Sequence, residues 1–300
     1  MSSGTEQWHA ERPRLLSIAY RILGSWHDAE DVVSEAWLRL NRAQQSSEAP
    51  RDVPAWLTVV VSRLALDCAT SAARQREQYI GPWLPETVVA QEPTSGHLRV
   101  SSAEDEAILG EEVDLAFLRL LLTLDPVDRV IVVLAGVGGL THGEIGEIVG
   151  VTPAATRQRL RRSRVRLNVA GGVDPVKVAD REVLEKLTAS LNRGELSTLV
   201  EQLSAGCVLW TDSGGMSKAA RNPIVGKDRV ARFLRGVIEK YGMPQVSVRK
   251  ALGGAVLRAI STDLVRMVII ETTAGEITGI QIQQNPSKGQ VLLSGVSASG

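Results

Sequence analysis

LTHGEIGEIVGVTPAATRQRLRRSRVRLN, residues 140–168, is the stretch on which the reading of this chain turns. Thr141 with Glu144 three residues on is a capping box, which satisfies free N–H groups at a helix start. Ile145, Ile148 and Val149 supply the inner face of that helix. Gly150 ends it, Thr152 caps the next helix, and Pro153 suits its first turn. Two helices joined by a tight glycine turn make a helix-turn-helix. In the second helix Thr156, Leu160, Ser163 and Leu167 recur at spacings that place them on one inward face. Ala154, Gln158, Arg161 and Arg162 then point outward, towards a major groove, with Arg157, Arg159 and Arg164 on the flanks near phosphates. Glutamine and arginine suit bidentate contacts with base edges, whereas flanking arginines supply salt-sensitive affinity. From Pro153 to Arg166 the charged residues are six arginines and no acid, which separates this helix from an ordinary solvated face.

The rest of the chain bounds what such a helix serves. Three hundred residues favour two or three domains, and an apolar fraction of 44% is enough for real cores. The 34 basic and 34 acidic residues sum to zero net charge, but in uneven blocks. Between Leu84 and Asp114 eight acidic residues face Arg99 alone. Local patches rather than a uniformly basic coat are expected. The two cysteines, Cys68 and Cys207, and the four histidines never reach metal-ligand spacing, so no metal and no cofactor is expected. No run of about 18 consecutive apolar residues and no signal-peptide pattern is present, so no membrane is expected and the location expected is cytoplasmic.

Pattern divides the chain into four parts. Residues 1–80 read as helices, with Leu15, Ile18, Ala19, Ile22 and Leu23 at helical spacing. Residues 81–102 break the pattern with Gly81, Pro82, Pro85, Pro93 and Gly96 and read as a linker. Helical spacing returns over 103–170. In 174–300, helices at Val176–Asn192, Leu196–Leu203 and Lys227–Tyr241 are mixed with β-rich runs at Val246–Lys250, Ala255–Ile260, Leu264–Glu271 and Glu276–Gln284. That order suggests an α+β domain with a curved sheet.

A helix-turn-helix alone fits a repressor as well as a promoter-recognition factor. The segments RILGSWHDAEDVVSEAWLRL (21–40) and PAWLTVVVSRLALD (54–67) resemble region 2 of bacterial sigma factors of the extracytoplasmic-function type. LDPVDRVIVVLAGVGGLTHGEIGEIVGVTPAATRQRLRRSR (124–164) resembles their region 4. The resemblance covers most of residues 8–168. It implies a transcription initiation factor whose partners are core RNA polymerase, through the β′ clamp helices and the β flap, and promoter DNA. Asp28, Glu30, Asp31 and Glu35 would meet the clamp helices. The loop Gln44–Val53 and the helix from Trp56, with Arg63, Arg74 and Arg76, would melt and hold the −10 element. Region 4 would read the −35 duplex through Thr152, Ala154, Arg157, Gln158, Arg159, Arg161, Arg162 and Arg164. Trp37 reads as core, and Trp56 stands beside the DNA-holding loop. The family commonly carries more arginines after its LD pair than LDCATSAARQREQY (66–79), which implies fewer phosphate contacts and a weaker margin for −10 binding.

GPWLPE (81–86) and WTDSGGMSKAARNPIVGKDRVARFLRG (210–236) are similar to sigma factors carrying a fused SnoaL-like domain of the nuclear-transport-factor-2-like fold. The fold class expected is therefore multidomain: two all-α sigma regions followed by an α+β SnoaL-like cone. The family's DGGGK-like motif reads Asp212-Ser213-Gly214-Gly215-Met216 here, and its NPDKL-like tail reads Asn285-Pro286-Ser287-Lys288-Gly289. A regulatory contact is expected from Trp83, Leu84, Pro85, Asp212, Gly214, Gly215, Asn285 and Pro286, with Trp83 and Leu84 as an apolar anchor exposed on the linker. A small ligand or regulator of unspecified chemistry is a further candidate partner of this domain. Relatives of the fold include isomerases and cyclases, and Asp212 and Glu271 are the carboxylates available for such chemistry. The domain contains no histidine, Asp212 sits in a turn-forming segment, and a fold does not carry a function, so no enzyme is expected. The competing readings are a ligand-sensing repressor acting without polymerase and an enzyme tethered to DNA.

Overall fold

The structure, a computed structural model, describes residues 2–45, 49–76, 78–90, 114–137, 140–171, 176–261, 264–288 and 291–293. They form two compact units. One holds the described residues up to 77 together with 118–170; the other holds 78–90, 114–117 and those from 171 onward.

The first unit is helical. Helices α1 (Ser2–Leu23), α2 (Trp26–Gln44) and α3 (Val53–Arg76) pack on one another through the stripes read from the sequence. Leu15, Ile18, Ala19 and Ile22 of α1 are fully buried, as are Ala36 and Leu40 of α2. Val53–Ala73 is long and apolar enough, by length and composition, to cross a membrane. Leu57, Val61, Ala65 and Ala69, at helical spacing along it, are instead buried in this core. After the short α4 (Leu115–Leu121), α5 (Pro126–Val137) packs against α1 and α3, and α6 (His142–Val149) against α3 and α5. Helix α7 (Pro153–Gly171) follows. The two helical stretches that the sequence separates at 80 and 103 thus share one compact unit. Arg129 of α5 binds them: its guanidinium, in a residue 4% exposed, donates to the carbonyls of Ile22 at 2.7 Å, Leu124 at 3.0 Å and Leu121 at 3.2 Å. A buried charge is tolerable there because carbonyl dipoles replace its water.

The second unit is a curved sheet with helices on one face. Its strands are β1 (Val88–Ala90), β2 (Lys177–Val178), β3 (Leu203–Asp212), β4 (Ile224–Val225), β5 (Gln245–Ala251), β6 (Gly254–Ser261), β7 (Leu264–Thr273), β8 (Glu276–Gln283) and β9 (Val291–Leu293). They lie in the order β4-β3-β8-β7-β6-β5-β1-β9, with β2 added against β7. Pairing is antiparallel except between β3 and β8 and between β1 and β9. Helices α8 (Arg181–Asn192), α9 (Leu196–Glu201) and α10 (Lys227–Tyr241) contribute Leu184, Leu187, Leu199 and Val230 to a core with Leu209, Leu257, Ile270 and Ile280 of the sheet.

The described part of the expected linker is built into this unit. Val89 pairs with Ala251, and Val88 and Val89 are buried. A short β-branched run set between β5 and β9 completes the ladder and shields its apolar side chains. Residues 91–102 lie outside the described residues.

Candidate functional site

The helix-turn-helix forms as its local chemistry dictates. Thr141 Oγ1 accepts from the Glu144 amide, and the Glu144 carboxylate accepts from the Thr141 amide and hydroxyl at 2.7 Å. Those bonds hold the Glu144 carboxyl below the usual carboxylate range. Gly150 closes α6 in the left-handed region at φ 74. Gly146 has a different reason for being glycine: a Cβ there would lie 2.5 Å from the Val151 carbonyl oxygen. Thr152 Oγ1 then accepts from the Ala155 amide at 3.2 Å to start α7.

On α7, Thr156 and Ser163 are fully buried and Leu160 and Leu167 nearly so. Ala154, Arg157, Gln158, Arg161, Arg162 and Arg164 are exposed on the remaining faces. Arg159 is the exception among the residues assigned to DNA. Its guanidinium donates to Asp128 at 2.6 Å and to Asp125 at 3.1 Å. Two carboxylates at the start of α5 hold it against the helical unit, a pairing that competes with its expected role as a phosphate contact. Burial, and next the hydrogen bond with Asp125, hold the Asp128 carboxyl above the usual range.

On α2, Asp28, Glu30, Asp31 and Glu35 face outward around the exposed Leu38. Ser25 caps the helix by accepting from the Asp28 amide, and Arg39 donates to Glu35 at 2.8 Å. Trp37, expected in the core, is half-buried and stacks on the buried Trp8 with ring centroids 4.9 Å apart. Trp56 stands half-buried in the first turns of α3. Arg63 is exposed and donates to the Glu147 carbonyl of α6 at 3.3 Å. The side chains of Arg74 and Arg76, and residues 46–48 of the loop before α3, fall outside the described residues.

In the C-terminal unit three separate motifs meet at one carboxylate. Asp212, at the end of β3, is fully buried. Its Oδ1 accepts from the Tyr79 hydroxyl at 2.5 Å and the Gly214 amide at 3.2 Å. Its Oδ2 accepts from the Leu84 amide at 2.9 Å and the Lys288 ammonium at 2.5 Å. Lys288 also donates to the Leu84 carbonyl and stands 3.8 Å from the centroid of the Trp83 ring. Asn285 Nδ2 donates to the Tyr79 hydroxyl at 2.8 Å. Gly214 has φ +61, and a Cβ there would meet Asn285 Nδ2 at 2.6 Å, so only glycine fits. Gly215 faces Ile80 in the same way.

The turn expected at Asp212 is present, but its larger role is as the hub of this cluster. Leu84 is 1% exposed, which corrects its reading as an exposed anchor. Pro85 is buried beside it and Pro286 is exposed. Tyr79 and Lys288 were not singled out from the sequence. Both lie inside stretches quoted above, and a lysine in a tail motif offered a signal only once its acidic partner was in place.

The cone encloses a cavity of about 130 Å³ lined chiefly by aliphatic side chains. Neither Asp212 nor Glu271 lines it. Glu271 accepts from Gln281 Nε2 at 2.6 Å, and strand alternation turns both away from the cavity-lining Ile270 and Ile280.

Comparison with known proteins agrees with this geometry. The Sigma-70 region 2 family matches residues 8–75, and the Sigma-70, region 4 family matches residues 114–167. The ECF RNA polymerase sigma factor SigJ of Mycobacterium tuberculosis is 37% identical over 241 residues, 79% of this chain and 73% of the relative. The probable ECF RNA polymerase sigma factor SigI of the same species is 32% identical over 288 residues, 93% of this chain and 92% of the relative. The crystal structure of M. tuberculosis SigJ aligns with a TM-score of 0.75 at 30% identity, over 95% of this chain and 97% of that one. Both sigma regions in order, relatives aligned along most of their length, and a solved sigma factor sharing even the α+β unit lead to one conclusion: the chain belongs to the extracytoplasmic-function RNA polymerase sigma factors, in a form that carries a SnoaL-like domain after region 4.

Proposed function

We propose that this sigma factor divides its work among three surfaces. The outward face of α7, with Gln158, Arg161 and Arg162 towards base edges and Arg157 and Arg164 towards phosphates, reads the −35 element. The acidic face of α2, with Asp28, Glu30, Asp31 and Glu35 around Leu38, docks on the β′ clamp helices of core polymerase in the cytoplasm. Trp56 and the loop before α3 hold the −10 strand. The observation that carries this reading is the exposed, acid-free arginine face of α7, set behind a capped helix and a buried inner stripe.

The C-terminal domain acts as a regulator through the Asp212 cluster. Tyr79 follows α3 by three residues, so a change at Asp212 is passed along the chain to the helix that holds the −10 strand. Turnover is the weaker reading, because both carboxylates considered for it are engaged elsewhere and lie off the cavity.

The deciding experiment adds the purified chain to sigma-free core polymerase and measures promoter-specific transcripts. Transcripts that change when residues 174–300, or only those after Asn285, are removed are the expected result. No transcript from any candidate promoter across salt conditions, with operator binding by the free protein, would establish the repressor instead. Unchanged output from both truncations would remove the regulatory role.

A further inference from the structure

The cavity in the C-terminal domain has a chemistry that goes beyond its apolar lining. Leu199, Phe233, Ile238, Val246, Ile270 and Ile280 enclose most of it. Arg266 of β7 forms part of the wall, on the same strand face as the lining residues Val268 and Ile270. Its guanidinium is held by two neutral groups: Nε donates to Gln284 Oε1 at 3.0 Å and Nη1 to Ser261 Oγ at 3.1 Å. Gln284 is pinned in turn by donating to Ser217 Oγ at 2.9 Å and to the Lys218 carbonyl at 3.3 Å. Among the described residues no carboxylate makes an ion pair with Arg266.

A guanidinium set in the wall of an apolar cavity and oriented by neutral partners favours an anionic guest. Burial already pulls the Arg266 pKa below the ordinary arginine value, with the Tyr241 hydroxyl opposing it only in part. Size limits the guest. An apolar cavity of about 150 Å³ accepts benzene, so about 130 Å³ suits one ring or a short branched chain. Tyr241 and Gly242 line the cavity and are exposed, so a small molecule has a way in at the C-terminal end of α10.

We propose that this cavity binds a small apolar monocarboxylate, about the size of benzoate or phenylacetate. The hydrocarbon part lies among the aliphatic side chains, and the carboxylate pairs with Arg266. The inference concerns binding by the C-terminal domain and stands apart from how the helical unit meets polymerase.

Isothermal titration of the full-length chain tests it, with phenylacetate and its uncharged isostere phenylacetamide as probes and benzoate as a shorter acid. Phenylacetate is expected to bind at least about tenfold more tightly than the amide, a difference of about 1.4 kcal/mol. It should also raise the melting temperature as its concentration rises. Arg266→Gln is expected to abolish the preference for acid over amide. The comparison on the unaltered chain needs no variant, so a misfolded Arg266→Gln leaves the test intact. Equal binding of acid and amide, or no binding of either acid, would overturn the proposal. Transcription plays no part in the readout, so failure here is separable from failure of the polymerase reading.

Discussion

The Lys288 ammonium is held by the Asp212 carboxylate, the Leu84 carbonyl and the face of the Trp83 indole, with the Lys288 side chain 8% and the Asp212 side chain 0% exposed. A buried pair of this kind contributes little net stability over an apolar replacement, but breaking one side leaves an uncompensated charge. Lys288→Met is therefore expected to destabilise the C-terminal unit by about 3–5 kcal/mol in chemical denaturation. Adding Asp212→Asn to that variant should restore part of the loss, because no buried charge then remains. A double variant no more stable than the single one would show that packing, not charge, holds the cluster. Cys207 supplies a second test at this scale. Burial, with the Glu271 charge second, pushes its thiol up to about 11 from 9.0. The neutral thiol is the favoured native form, so its contribution to stability is complete below pH 9.0 and lost as pH rises towards about 11. Native protein at pH 8 should leave Cys207 unmodified by a thiol reagent until denaturant is added. Its alkaline loss of melting temperature should be smaller in Cys207→Ala.

At the scale of the element, α7 carries two kinds of arginine that substitution can tell apart. Arg161 and Arg162 lie opposite the buried Thr156, Leu160 and Ser163 and point where base edges would be. Arg161→Ala is expected to cost about 1–3 kcal/mol in binding and to relax preference at one base pair of the −35 element. Arg157→Ala should instead weaken binding to all sequences alike and lower the slope of log affinity against log salt by about one. Fluorescence anisotropy on holoenzyme with −35 variants at several salt concentrations separates the two. Identical behaviour of both variants would mean that α7 lies otherwise in the groove. Arg159→Ala belongs to neither class. It removes the partner of Asp125 and Asp128, so its effect should appear as lost stability of the helical unit.

The whole molecule divides into two units, and the chain crosses between them before the region 4 helices as well as after them. Leu84, Val88 and Val89 are buried in the C-terminal unit, although they lie between the two sigma regions in sequence. A chain ended at residue 173 keeps the helical core but strips these side chains of their sheet. Such a fragment should retain its helical circular dichroism and be cut by protease within residues 78–90, where the full chain resists. Resistance of that segment in the fragment would mean that it is protected without the sheet.

How much of this was legible depends on how far apart the interacting residues are. The capping box, the glycine turn and the inner face of α7 arise from contacts within about one helical turn, so residue types and spacing suffice to write them down. The strands β5 to β8 were likewise visible as β-rich runs between turns, whereas the ten-residue β3 was not read and β1, β2, β4 and β9, at two or three residues, are too short to show a period. Charge partners were not legible, because a charged side chain names no counterpart. Nothing local distinguishes Arg159, which turns inward to acids more than thirty positions earlier, from Arg161, which faces solvent. Asp212 meets Tyr79 and Lys288 from positions 133 and 76 residues away. By itself the sequence determined the helix-turn-helix and the change to an α+β domain, both consequences of local periodicity, and it showed the order of sigma regions through its resemblance to a known family. Only the tertiary structure decided which ionic groups are consumed inside the protein and which remain for DNA, because a buried charge must be paired by whatever the fold brings to it.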